Sequence, residues 1–224
     1  MIQKLHLFIL LFITLSMHAQ VPRGFSLGAG INQSMLDSKD LLTDPNVSYS
    51  AGIIFNFGYH ESFNYESSFI VTNSALKLDY VDNQALTVHQ AKYNIQNIDM
   101  GFQFNYYIIK PDEDKIYFGP LAGVYVSYNM GQLSTRDDAN EQYYLPYRLT
   151  ENSLTNINKI NYGVSAGLVG GYNKFRLALK YNMGLSNFLD GVETDNYSET
   201  NTYTGPTLKG KLHTVSLILY YKVF

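Results

Sequence analysis

Four charged side chains are the residues in this sequence best placed to do chemistry. Arg176 and Lys180 stand four apart, and Asp99 and Glu66 lie in two other stretches of alternating apolar and polar residues. Two cations and two carboxylates that shared one enclosed space would pair, because an unpaired charge out of water costs several kcal/mol. The chemistry expected is therefore a structural plug of paired charges, with a proton or ion path as the other use. Histidine adds little to this. His6 and His18 fall in the leader, which leaves His60, His89 and His213, with no spacing that suits a zinc site. His89 with Ser74 or Asp82 would be the constellation of a lipid-modifying enzyme, but such logic needs convergence in space, and His89 reads as part of a polar loop. No catalytic, metal or cofactor residue is assigned.

The elements that position the four charges are strands. Alternation is clearest over residues 174–188, where Leu177, Leu179, Tyr181, Met183 and Leu185 share one face and Arg176, Ala178, Lys180 and Asn182 the other. Ile98, Met100, Phe102, Phe104 and Tyr106 likewise oppose Asn97, Asp99, Gly101, Gln103 and Asn105. Eight strands follow from this pattern, at about 24–33, 48–60, 64–80, 93–109, 115–131, 159–173, 174–188 and 209–224. A bulge is expected in the third near Asn73 and Ser74, moving its apolar set onto Leu76, Leu78 and Tyr80. At Pro120 in the fifth a bulge or local break is expected, since it has no N–H to donate to the ladder.

Connections alternate in length. Turns are expected near residues 61–63, 110–114 and 173–174, and polar loops of about 14, 12, 27 and 20 residues in the other four places. Short turns at one end and long loops at the other mark an all-β, eight-stranded antiparallel up-and-down transmembrane β-barrel. A soluble carrier with an apolar interior would show the same period of two. Three features favour the membrane. Lys180, Arg176, Asp99 and Glu66 share the polar faces with Gly163, Gly167 and Gly171, as a narrow packed lumen requires. Tyr49, Tyr59, Tyr65, Tyr106, Tyr107, Tyr117, Tyr128, Tyr162 and Tyr172 lie near strand ends, where an interfacial girdle would place them. The chain also stops on Tyr220-Tyr221-Lys222-Val223-Phe224, and a terminal Phe on an amphipathic strand resembles the assembly signal of bacterial outer-membrane barrels.

Composition agrees. The chain has 224 residues, with 20 Tyr, 13 Phe, no Trp and no Cys, and 16% are charged. Past residue 20 no apolar run approaches the roughly 20 residues of a membrane helix. A net charge of −3 gives no reason to expect nucleic acid. Residues 1–19 read as a secretory signal peptide, cut after Ala19, and residues 20–224 as a single barrel domain.

The stretches Phe25-Ser26-Leu27-Gly28-Ala29-Gly30-Ile31-Asn32, Tyr117-Phe118-Gly119-Pro120-Leu121-Ala122-Gly123, Tyr162-Gly163-Val164-Ser165-Ala166-Gly167 and Leu179-Lys180-Tyr181-Asn182-Met183-Gly184-Leu185 resemble the PorT-like outer-membrane β-barrel family of Bacteroidetes. That resemblance implies an eight-stranded barrel in the outer membrane and, for most members, no defined activity. The expectation is a structural or surface-interaction protein without catalysis. An accessory part of a secretion or envelope-assembly system comes second and a lipid-modifying enzyme third. Expected partners are outer-membrane lipid and lipopolysaccharide, with the barrel-assembly machinery during biogenesis. The outer acidic residues Asp37, Asp40, Asp44, Asp137, Asp138, Glu141, Asp190, Glu193, Asp195 and Glu199 read as solvated or as holding divalent cations against lipid phosphates. Tyr143, Tyr144 and Tyr147 around Pro146 would suit a docking loop.

Overall fold

The computed structural model describes residues 24–60, 62–82, 88–111, 116–130, 134–135, 142–144, 157–192 and 208–223. Residues 1–23, with the expected signal peptide, and Phe224 lie outside the described residues. In chain order the strands are β1 (Gly24–Ser38), β2 (Thr43–His60), β3 (Phe63–Asp82), β4 (Val88–Tyr106), β5 (Ile116–Asn129), β6 (Ser134–Thr135), β7 (Gln142–Tyr144), β8 (Ile160–Tyr172), β9 (Phe175–Gly184) and β10 (Gly210–Lys222).

Every long strand pairs antiparallel with its neighbour, and β3 pairs with β4 as well as β2, so the sheet closes on itself. The closing seam joins β10 to β1 from Ser26↔Lys222 through Ser38↔Gly210. Closure is what an apolar solvent demands, because no backbone N–H or C=O is then left without a partner at a sheet edge. β6 and β7 are short additions on the outer ends of β4 and β3.

The facing of the side chains separates the two barrel types. Leu27, Ile31, Val71, Phe102, Val124, Leu168, Leu177, Leu179 and Leu219 all stand exposed on the outside, between 43% and 58%. Asn32, Gln103, Asn105, Arg176 and Lys180 are inside and at most 6% exposed. A soluble carrier would have the reverse arrangement, so this wall is built for hydrocarbon.

Three expectations need correction. β1 and β2 are joined by residues 39–42 alone, and β3 and β4 are separated only by residues 83–87, so the first two long loops are in large part tall hairpins. β3 carries no bulge, for its ladder with β4 runs unshifted from Phe63↔Tyr106 to Val81↔Val88. Leu76 and Leu78 are buried on the same even-numbered face as Glu66, and what changes is the polarity of the interior. The irregularity sits in β2, where register with β3 shifts between Pro45 and Ser50 and again between Phe57 and Tyr59. Pro120 acts as expected. The β4–β5 ladder ends at Asn105↔Leu121 and resumes as the bridge Ile109↔Phe118, so residues 106–108 oppose only 119–120.

Candidate functional site: the lumen and its outer cap

The inner face of the barrel is layered. Towards the end that bears the short turns, Ile54, Ile70, Leu121, Val169 and Ile218 pack with Tyr107 and Tyr220. Tyr107 and Tyr117 meet edge to face, 5.4 Å between centroids. Both had been expected in the girdle, but the odd-numbered face to which they belong points inward. Tyr49, Tyr65, Tyr106, Tyr128, Tyr162 and Tyr172 do point outward, and the Tyr59 side chain lies outside the described residues. Gly28 makes room for this layer: a methyl group there would run into the Tyr220 ring.

Among these residues lies an ion pair. Arg176 Nη1 donates to Glu66 Oε2 at 2.5 Å, with both side chains buried, and the guanidinium lies over the Tyr220 ring at 5.8 Å. Asn105 donates to the same Glu66 oxygen at 2.9 Å and to Asn64 at 2.6 Å, and Asn64 donates to Asn56 at 3.2 Å. With its amide turned to satisfy both ends, Gln103 donates to Glu66 Oε1 (2.7 Å) and accepts from Lys180 Nζ (3.2 Å). Glu66 is therefore tied to both cations, to one directly and to the other through Gln103.

Asp99 stands apart from that pair. Thr72 donates to its Oδ2 at 2.7 Å, and Ser127 is a second hydroxyl partner. No ion pair joins Asp99 to Lys180 among the described residues. The two line a cavity of about 10 Å³ together with Gln103, Tyr125 and Asn182. A second cavity of about 20 Å³ lies on the other side of Asp99, bounded by Asn97, Asn161 and Ser186. Each has room for about one water, and Asp99, Tyr125 and Asn182 line both. All four predicted lumen charges thus point inward, but only Glu66 and Arg176 form a direct pair.

Beyond the second cavity the interior turns apolar. Leu36, Leu41, Leu76, Leu78, Tyr93 and Ile95 from the tall hairpins meet Ile157, Phe188, Leu189, Val192 and Leu208 from the chain segments that leave β9 and approach β8 and β10. Asn187 ties this cap down, its side chain donating to the Leu208 carbonyl and accepting from the Gly210 amide. Sequence reasoning missed the cap because Leu36, Leu41, Ile157, Leu189, Val192 and Leu208 lie in stretches that read as loop. The signal available was the spacing of Leu76 and Leu78, two apart and directly after the polar inward residues Thr72 and Ser74.

The constellation considered for catalysis does not assemble around Ser74. Its Oγ accepts from Asn97 inside the barrel, and its partner in register is Ile95. His89 lies in β4 opposite Tyr80, not in a loop, six residues further along the ladder or about 20 Å at the rise of a strand. The side chains of His89 and Asp82 lie outside the described residues. Among the described residues no group of three or more His, Asp or Glu could hold a metal ion. Asp37 and Asp44 are in strands, while Asp137, Asp138, Glu141, Glu193, Asp195 and Glu199 lie outside the description. Tyr143 and Tyr144 belong to β7 and pair with Val81 and Tyr80, and Pro146 and Tyr147 lie outside it.

Residues 18–190 match the family described as outer membrane protein beta-barrel domain. The chain belongs to that family. It is a barrel of the bacterial outer membrane, and the lipid for which its wall is built is that membrane's. No curated protein matches the outer-membrane barrel by sequence. Its fold is similar to the crystal structures of Neisserial surface protein A (11% identity, TM-score 0.46, covering 90% of this chain and 99% of that one) and of OprG from Pseudomonas aeruginosa (13%, 0.43, 90% and 96%). A third is Ail, the attachment invasion locus protein of Yersinia pestis (12%, 0.41, 89% and 98%).

Proposed function

We propose that the protein is a sealed, non-catalytic outer-membrane barrel of the PorT-like kind, with a structural or surface-interaction role. The observation that carries this reading is the filling of its interior. An apolar and aromatic cluster that holds the Glu66–Arg176 pair, two water-sized cavities and an apolar cap occupy it. A channel needs continuous wet space, and cavities of about 10 and 20 Å³ separated by side chains do not supply it. Outer-membrane lipid and lipopolysaccharide are its surroundings on this reading, and the barrel-assembly machinery its partner during insertion.

Planar-bilayer recording of the purified protein tests the reading. No conductance steps above the baseline are expected, and discrete openings at neutral pH would overturn it. Native-membrane co-purification separates a free-standing barrel from an accessory subunit, since a subunit brings stoichiometric partners with it.

A further inference from the structure

Two thioethers and an imidazole stand in one row on the outer wall. His213 on β10 is in register with Met35 on β1 and with Met183 on β9. Residues directly opposite one another in a sheet share a face, with their Cβ atoms about 5 Å apart. All three belong to the outward set, for Val215, Leu217 and Leu219 on β10 and Leu177, Leu179 and Tyr181 on β9 stand exposed at the same parity. His213 nevertheless keeps only 8% of its surface exposed, whereas each methionine keeps 39%. A buried ring thus has a reachable sulfur-bearing side chain on either side.

The ring of His213 is held in place. Tyr181 Oη and His213 Nδ1 lie 3.2 Å apart, and the two rings are 6° from parallel. A hydroxyl can donate to Nδ1 or accept from it, so the contact suits either tautomer of the imidazole. Nε2 is left for a ligand, and a partner on the other ring nitrogen is how a metal-binding imidazole is ordinarily oriented. Met35, Tyr181 and His213 also line an open cavity of about 430 Å³, which gives an ion a way in from the surface.

Charge does not select the ligand here. The next row outward sets Asp37 against Lys211 in register, one charge of each sign, and the next row inward joins Gln33, Val215 and Tyr181, which carry none. Three neutral ligands at the edge of an apolar belt favour a monovalent ion, because each further charge raises the cost of leaving water. Thioether sulfur is a soft donor that suits Cu(I). The chain has no cysteine and the row has no carboxylate, so the thiolate or carboxylate that zinc and calcium take is missing from it. We propose that Met35, His213 and Met183 form a binding site for Cu(I), bound by the two sulfurs and Nε2, with Tyr181 as a positioning residue. The site lies outside the lumen, so it goes beyond the sealed-barrel reading and stands or falls apart from it.

Ag(I) serves as the redox-inert probe, added as nitrate in chloride-free buffer to the full-length protein folded in nanodiscs. The chain has 6 methionines, whose labelled methyl groups can be followed one by one by NMR. One equivalent should shift Met35 and Met183 together and leave Met100 in place. Cu(I), offered without oxygen in competition with bicinchoninate, should bind at one per chain, and Met35→Leu/Met183→Leu should abolish that binding. Leucine keeps the wall apolar at nearly the same volume, so the barrel should stay closed, which heat-modified electrophoretic mobility reports. Tyr181→Phe should weaken Cu(I) binding about tenfold while the stoichiometry and the paired methyl shifts persist. Absence of any shift at one equivalent, or all methionine signals moving alike, would overturn the site. Cu(I) retained by closed barrels of Met35→Leu/Met183→Leu would overturn it by showing adventitious binding elsewhere, and Zn(II) held as tightly as Cu(I) would overturn its soft character. None of these results touches the closure of the lumen, which conductance tests.

Discussion

Leu179 on β9 and Lys92 on β4 both point away from the barrel axis into whatever surrounds it, and both are exposed. Behind Leu179 the interior holds Lys180, Arg176 and Glu66; behind Lys92 it holds Tyr93, Leu76 and Leu78. The same sheet is thus built with one polarity in its belt and the opposite one in its outer extension. The belt stands in hydrocarbon, where exposed apolar surface costs nothing and polar groups must satisfy one another inside. The extension stands in water, where burial of apolar side chains is again the driving force. Solvent decides which face of the strand is the core, and strand geometry is indifferent to it.

The largest test of this contrast concerns the inside of the belt. Glu66→Ala should lower stability by about 3–5 kcal/mol, because it strands Arg176 in a buried site. Urea unfolding of the barrel in detergent micelles measures it, and a loss under 1 kcal/mol would mean that water reaches the guanidinium. On the outside of the belt, Leu179→Arg should cost about 2–4 kcal/mol if the residue lies near mid-membrane. The same new charge further out sharpens the comparison. Gln96→Arg should cost at most about 1 kcal/mol, since an outward charge near the interface stays wetted. Equal losses for the two arginines in one titration would erase the boundary between belt and extension.

Most of the belt was legible in the sequence. In β9 and β4 the alternation of Leu177, Leu179 and Tyr181 with Arg176, Ala178 and Lys180, and of Phe102 and Phe104 with Gln103 and Asn105, reports facing directly. A period of two with charges on one face has one consistent arrangement in lipid. Pro120 was legible for a covalent reason, since no neighbour can give it a hydrogen to donate. The extension was not legible, because facing there cannot be taken from polarity without first knowing where the membrane ends. Leu76 and Leu78 read as a register slip when they are the floor of a second core. The pairing of Glu66 with Arg176 in place of Lys180 depends on strand stagger and on Gln103, neither of which periodicity encodes. Tyr107 and Tyr117 were misplaced for a similar reason: an aromatic at a strand end suits either face, and only parity within the strand tells them apart.

Strand height is uneven around the barrel. β3 runs from Phe63 to Asp82 and β4 from Val88 to Tyr106, whereas β9 stops at Gly184, after ten residues. At the rise of a strand that is a difference of up to about 30 Å of backbone between β3 and β9. The described strand ends therefore slope like the lip of a jug, and a belt that is alike all the way round carries strands of very unequal reach on its outer side.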